Sequence, residues 1–223
     1  MNKEALLRLF ADTLFPESNV CHICGRFPDT ADILCCECRQ SLNALRLGKL
    51  RACSQEPHPP LSKCLSAWPH KGEARELVHL LKYTSDGAAA LALGQGMAAA
   101  LQSSGIQADA VVPVPLHTQR LKQRGYNQAL LLAQTVCSHT QLPLLEGALI
   151  RLYDTGTQVR LERAQRLQAM EHAFAAADSK AVKGLHVLLV DDVLTTGATA
   201  MSCAIVLMTA GAADVTLLTA CRA

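Results

Sequence analysis

The chain has 223 residues, of which 50% are hydrophobic, 18% charged and 4% aromatic, and its formal net charge is +2. That length suits one ordinary domain with a small second unit, and the composition excludes a disordered or fibrous chain. The small charge excludes a surface coated in nucleic-acid-binding cations, and the few aromatics leave little for stacking on single strands.

Leu6, Leu7, Phe10 and Leu14 recur at helical spacing ahead of Pro16, which predicts a short packing helix over residues 3–14 rather than a membrane anchor. The start MNKEALLRLFADTLFPES carries acids and lacks a long apolar core, so no secretory signal is expected. No run of 18 apolar residues predicts a membrane span.

Cysteine is the unusual residue. Seven of the ten (Cys21, Cys24, Cys35, Cys36, Cys38, Cys53 and Cys64) fall in the first 64 residues. Cys21–Cys24 and Cys35–Cys38 form two C-x2-C pairs ten residues apart, a spacing that closes a tetrahedron of thiolates around Zn²⁺. Gly25 suits the positive φ of such a knuckle. Either pair alone is also compatible with a redox dithiol, but two of them outside a βαβ unit favour zinc. Cys36 in place of Cys35 would leave a C-x-C pair, so Cys35 is the expected ligand. Four thiolates saturate zinc, so the site reads as structural. Cys53 and Cys64 lack such partners, and a second site recruiting His58 or His70 is left open. Residues 1–65 hold eight basic against seven acidic residues, which gives this unit no electrostatic case for DNA binding.

The proline-rich stretch Ser54–Ser66 reads as a linker, so domains are expected over residues 1–65 and 66–223. Beyond it, helices are expected at Glu73–Tyr83, Ala88–Leu101, Gln128–Ser138 and Ala198–Ala210. Strands are expected at Ala110–Val114, Val187–Val190 and Val215–Thr219. The alternation predicts an α/β fold with a parallel sheet. Gly94-Gln95-Gly96 superficially matches a dinucleotide motif but lies in a helical stretch with no strand before it.

The most informative segment is VLLVDDVLTTGAT, Val187–Thr199. A buried strand is expected to end in Asp191 and Asp192, whose carboxylates suit the vicinal hydroxyls of a ribose. The loop Thr195, Thr196, Gly197, Ala198 and Thr199 can turn backbone N–H groups and hydroxyls toward a phosphate at a helix N-terminus. Its place is the carboxyl end of a strand, where α/β sheets bind ligands. Arg120, Lys122 and Arg124, with no acid among them, read as a loop that can hold a diphosphate or as a solvated basic turn. The segment Arg151–Phe174, with Arg151, Arg160, Arg163 and Arg166, reads either as an exposed helix and loop or as a cover over a polyanion.

VLLVDDVLTTGAT resembles the phosphoribosyl-diphosphate signature of type I phosphoribosyltransferases. Together with the cysteine pairs, Leu81-Lys82-Tyr83, Val114-Pro115-Leu116 and Arg124-Gly125-Tyr126-Asn127-Gln128, it resembles the ComF family of competence proteins and their GntX-like kin. The resemblance covers nearly the whole chain. It implies a small N-terminal zinc ribbon joined to a type I phosphoribosyltransferase-like domain, with structural Zn²⁺ and with Mg²⁺ accompanying phosphoribosyl diphosphate. It implies that Asp191 and Asp192 bind ribose, that Thr195–Thr199 hold the 5-phosphate, and that Arg120 and Arg124 lie by the diphosphate. It also implies a cytoplasmic role in uptake or use of external DNA, at the inner membrane and beside a helicase-like partner. An enzyme with an unnamed acceptor and a catalytically silent adaptor for single-stranded DNA both remain open at this level. The family's Asn three residues after the match to Arg166 is replaced here by Ala169.

Overall fold

The computed structural model describes residues 20–27, 33–47, 60–83, 87–153 and 173–223. The chain divides into two compact units, residues 1–45 and 46–223. The expected helix at residues 3–14 lies outside the described residues, as does Cys53.

In the first unit the chain turns tightly after Cys21. The Gly25 N–H donates to the Cys21 carbonyl at 2.8 Å, and Gly25 takes a φ of 71°. Helix α1 (Cys36–Ala44) follows, and its first turn is capped by sulfur: Cys35 Sγ accepts from the Cys38 N–H at 3.5 Å.

The second unit is built on a four-stranded sheet of β1 (Lys63–Pro69), β2 (Ala110–Pro113), β5 (His186–Leu194) and β6 (Asp214–Arg222). The strand order is β1-β6-β5-β2 and every pairing is parallel. Buried parallel strands read as continuous apolar runs, which is what β2 and the first half of β5 present, while β6 is buried along its middle with Thr216 and Thr219 among its apolar residues. Two polar side chains inside this sheet satisfy each other: Ser66 Oγ and Thr219 Oγ1 lie 2.7 Å apart.

Helices α2 (Gly72–Tyr83) and α3 (Gly87–Ser104) connect β1 to β2. In α2 the buried residues Ala74, Leu77, Val78 and Leu81 recur every three or four positions, one apolar stripe toward the core. In α3 burial extends around more of the helix, and Gly94 and Gly96 are packing residues. A Cβ at Gly96 would lie 2.0 Å from the Trp68 ring, and one at Gly94 2.4 Å from Thr135 Cβ. The glycine pattern therefore serves close packing.

After β2 come α4 (Thr118–Arg124) and α5 (Gln128–Thr140). His117 Nδ1 accepts from the Gln119 N–H to cap α4, and Asn127 Oδ1 accepts from the Ala129 N–H to cap α5. A two-stranded antiparallel ribbon, β3 (Leu149–Arg151) with β4 (Phe174–Ala176), precedes β5, and α6 (Ala198–Thr209) joins β5 to β6. Among the described residues no helix is long and apolar enough to cross a membrane.

Three local expectations change. The stretch read as linker contributes its last four residues, Lys63–Ser66, to β1, whose pairing with β6 holds them in the sheet. The basic residues Arg120, Lys122 and Arg124 stand on a short helix, α4, where a loop was expected, because capping at both ends closes its turns. Strand β5 runs past the acid pair to Leu194, because Asp191 and Val193 still pair with Thr219 and Cys221 of β6.

Candidate functional site

The carboxyl edge of the sheet opens onto a cavity of about 390 Å³. Its floor is the second half of β5, through Asp191, Asp192 and Val193. The segment after β2 supplies Val114, Pro115 and Leu116, while α4 supplies Arg120 and Arg124. Asn127, Gln128 and Ala129 enter from the start of α5, Thr195 and Thr199 from the β5–α6 connection, and His70, Lys82 and Arg151 from other elements. A smaller recess of about 40 Å³ adjoins it, lined by the whole loop Thr195–Thr199.

The structure thus brings Asp191, Asp192, Thr195, Thr199, Arg120 and Arg124 to one cavity, with Thr196, Gly197 and Ala198 in the adjoining recess. Lys122 is exposed on α4 and does not line the cavity. Of the expected cover, Arg151 lines the cavity and Phe174 is buried in β4, while Arg160, Arg163, Arg166 and Ala169 lie outside the described residues.

Consecutive strand residues point to opposite faces, so the two acids meet different surroundings. The Asp192 carboxylate reaches the Lys82 ammonium, with Nζ 3.0 Å from Oδ2. Asp191 accepts from the Asp192 N–H at 2.8 Å. Burial raises the Asp191 carboxyl to about 7 and the Asp192 charge adds to the rise. The Asp192 N–H, Lys82 and Arg151 pull in the other direction without cancelling it.

Beyond the acids, Gly197 takes a φ of 77° and opens α6. A left-handed turn of this kind turns backbone N–H groups toward one point, and glycine takes it without strain. Thr196 Oγ1 accepts from the Ala198 N–H at 3.5 Å.

The motif residues on α4 and α5 hold one another and the end of α2. Arg124 Nη1 donates to Gln128 Oε1 at 3.2 Å, and the Arg124 guanidinium lies over the Tyr83 ring, 5.9 Å from its centroid. The Tyr126 hydroxyl donates to the Leu81 carbonyl at 2.6 Å, and Asn127 Nδ2 donates to the Val114 carbonyl at 3.0 Å. Gln128 is 4% exposed, and its Nε2 is buried without a hydrogen-bond partner.

The chemistry of the local sequence assigns no ligand role to Lys82 or Gln128, whereas Arg151 enters the cavity from the segment expected as a cover. The signal was present for Lys82, a basic residue in the last turn of an amphipathic helix, but nothing local to α2 says that this turn faces β5. His70, weighed as a partner for a second metal site, lines the cavity instead, and its N–H donates to the Arg222 carbonyl at 2.7 Å.

In the first unit, Cys21, Cys24, Cys35 and Cys38 place their sulfurs within 4.8 Å of one another. A Zn–S bond of about 2.3 Å puts the sulfurs of a tetrahedral site about 3.8 Å apart, so the set fits zinc with a small contraction. Cys24 Sγ and Cys35 Sγ are already 3.6 Å apart. Cys36 points elsewhere, its sulfur accepting from Gln40 Nε2 at 3.3 Å. The four cysteines are those the spacing selects.

No family model matches the chain. Against curated proteins, it is 35% identical over 210 residues to the DNA utilization protein YhgH of Salmonella typhimurium, covering 91% of this chain and 90% of that one. It is 42% identical over 92 residues to competence protein F of Haemophilus influenzae, covering 41% and 40% of the two. Among solved structures it is similar to glutamine phosphoribosylpyrophosphate amidotransferase from B. subtilis, at a TM-score of 0.44 and 23% identity over 63% of this chain. The chain spans 30% of that structure's length. With a parallel α/β unit, a four-cysteine cluster and near full-length similarity to YhgH, the chain belongs to the ComF-like family of competence and DNA-utilization proteins.

Proposed function

We propose that this protein binds phosphoribosyl diphosphate and transfers its phosphoribosyl group to a nitrogenous acceptor, in the service of uptake or use of external DNA. The observation that carries the reading is the convergence of the acid pair Asp191/Asp192 and the two arginines of α4 on one cavity, with the Thr195–Thr199 loop lining the recess that adjoins it. The cavity's volume, about 390 Å³, falls in the usual range of small-molecule sites, roughly 300–1,000 Å³.

In this reading the loop Thr195–Thr199 holds the 5-phosphate with backbone N–H groups and hydroxyls at the start of α6. Asp191 and Asp192 accept hydrogen bonds from the ribose hydroxyls. Arg120 and Arg124 face the diphosphate, Arg by its planar fork. The acceptor nitrogen forms a bond to ribose C1 as the bond from C1 to diphosphate breaks, and the electron pair leaves with the diphosphate. Positive charge builds on the ribose ring in between, where the two carboxylates stabilise it, while the arginines stabilise the departing anion. Mg²⁺ would accompany the diphosphate, keeping several waters, and would offset its charge. The zinc ribbon, with four thiolates and no open position, is structural.

The test is calorimetric titration with phosphoribosyl diphosphate and Mg²⁺, followed by turnover against a panel of bases and amines. Saturable binding that is lost in Asp191→Ala and Asp192→Ala is the expected result. No binding by the wild-type protein, or binding unchanged in both variants, overturns it.

A second reading, a catalytically silent adaptor for single-stranded DNA or a helicase-like partner at the cytoplasmic face of the inner membrane, draws on one observation. Lys122 is exposed on α4 and stands outside the cavity, available to a partner. A salt-dependent mobility shift with single-stranded DNA, lost in Lys122→Ala, would favour it. No shift at low salt would count against direct DNA contact.

A further inference from the structure

The cavity contains an ion pair that the ribose-phosphate reading does not use. Lys82 Nζ lies 3.0 Å from Asp192 Oδ2, with the two side chains 26% and 15% exposed, and both residues line the cavity. Asp192 is thus occupied by a cation before any ligand hydroxyl can reach that oxygen.

Resting on the reading above, we propose that Lys82 is a diphosphate-binding residue parked on Asp192, so that the site selects ligands carrying a diphosphate and vicinal hydroxyls together. The reasoning is an exchange of partners. A diol arriving alone must displace an ammonium with a neutral hydroxyl, a poorer partner for a carboxylate. An anion arriving alone can draw Lys82 away, but then leaves Asp192 uncompensated next to Asp191 in a half-buried site, which is costly. A ligand with both groups lets the ammonium pass to phosphate oxygens while the carboxylate passes to hydroxyls, and no charge is left without a partner.

The local structure suits such an exchange. The backbone at Lys82 is fixed by the Tyr126 hydroxyl on the Leu81 carbonyl, and the next side chain, Tyr83, lies under the Arg124 guanidinium. Only the lysine stem needs to swing. A compact ammonium on a flexible stem can change partners without the planar alignment that a guanidinium requires. The cavity also lies within reach of the cations of Arg120, Arg124 and Arg151, so the diphosphate end is where Lys82 would be drawn.

The experiment compares affinities of wild-type, Lys82→Met and Lys82→Arg proteins for phosphoribosyl diphosphate with Mg²⁺ and for ribose 5-phosphate, which keeps the diol and the 5-phosphate but lacks the diphosphate. In Lys82→Met the preference for phosphoribosyl diphosphate over ribose 5-phosphate is expected to fall about tenfold, with ribose 5-phosphate binding no worse than in wild type. Lys82→Arg is expected to keep part of the preference. A fall of less than about threefold in Lys82→Met, or an equal loss for both ligands, overturns the proposal, because a merely structural lysine would not change the ratio. If Lys82→Met does not fold, Lys82→Gln replaces it with the same criterion. Wild-type protein that binds neither ligand overturns the underlying reading of the cavity, whereas wild-type binding with an unchanged ratio overturns the lysine exchange alone.

Discussion

The Tyr126 hydroxyl donates to the Leu81 carbonyl at 2.6 Å, across 45 residues of sequence. This contact ties the last turn of α2 to the turn between α4 and α5. It also explains why two separate sequence motifs, Leu81-Lys82-Tyr83 and Arg124–Gln128, occur in one chain: they are two sides of one cavity wall. The carbonyl involved lies near the C-terminus of α2, where such groups lack intrahelical partners, so the bond also serves as a cap.

Tyr126→Phe removes that donor and keeps the ring. A hydrogen bond of this kind contributes about 1 kcal/mol, which for a chain of this size lowers the melting temperature by about 2–4 °C. Scanning calorimetry reads the shift directly. An unchanged melting temperature would mean that water replaces the hydroxyl without loss.

Gly96→Ala tests the reading of the glycine pattern as packing. The added Cβ would lie 2.0 Å from Trp68 Cη2, and Trp68 is 1% exposed, so the ring has little room to retreat. Overpacking of this sort costs about 1–3 kcal/mol. Gly87→Ala is the control, since nothing lies within 4 Å of the new Cβ there. Denaturant unfolding of the two variants should separate them, with Gly87→Ala neutral or slightly stabilising. Equal stabilities would remove the packing explanation.

Removal of zinc is expected to affect the first unit selectively. Cys21, Cys24, Cys35 and Cys38 form one cluster among the described residues, so mass spectrometry under native conditions should find zinc on the chain, and Cys38→Ser should lose one equivalent. A strong chelator should make these thiols reactive toward a thiol reagent, because a small metal unit folds on its metal. The core of the second unit is built from sheet and helix side chains, so its melting transition should persist. Zinc content unchanged in Cys38→Ser would exclude the four-thiolate site.

The elements legible in the sequence were those with a one-dimensional signature. The stripe of α2, the apolar run of β5 and the two C-x2-C pairs each declare themselves within eighteen residues or fewer. Edge strand β1 did not, because KCLSAWP contains the polar residues Lys63 and Ser66, whose strand partners, Thr216 and Thr219, come from the far end of the chain. The α4 helix was hidden by its length of seven residues and by caps from His117 and Gly125, which read equally well as turn residues. At the site, the acids and the Thr/Gly loop were legible because their chemistry is local. Lys82 and Gln128 were not, since their roles arise only when α2 and α5 are folded against the sheet edge.

The Asp191 carboxyl carries a pH signature whose sign can be worked out. Its folded value is raised to about 7 from an ordinary 3.8, by burial first and by Asp192 second. Between about pH 4 and 7 the folded chain therefore holds a proton at Asp191 more tightly than the unfolded chain does. Stability falls as pH rises through that window and levels off above 7, since both states are then ionised. Asp191→Asn removes the titrating group while keeping its size. The difference in unfolding free energy between Asp191→Asn and wild type should grow in favour of the variant from pH 5 to pH 7 and then stay constant. Asp192→Asn should reduce the slope in the same window, because it removes the neighbouring charge and leaves only burial to raise Asp191. Urea unfolding at half-unit pH steps measures both, and a pH-independent difference for Asp191→Asn would show that the carboxyl is ionised at all these pH values.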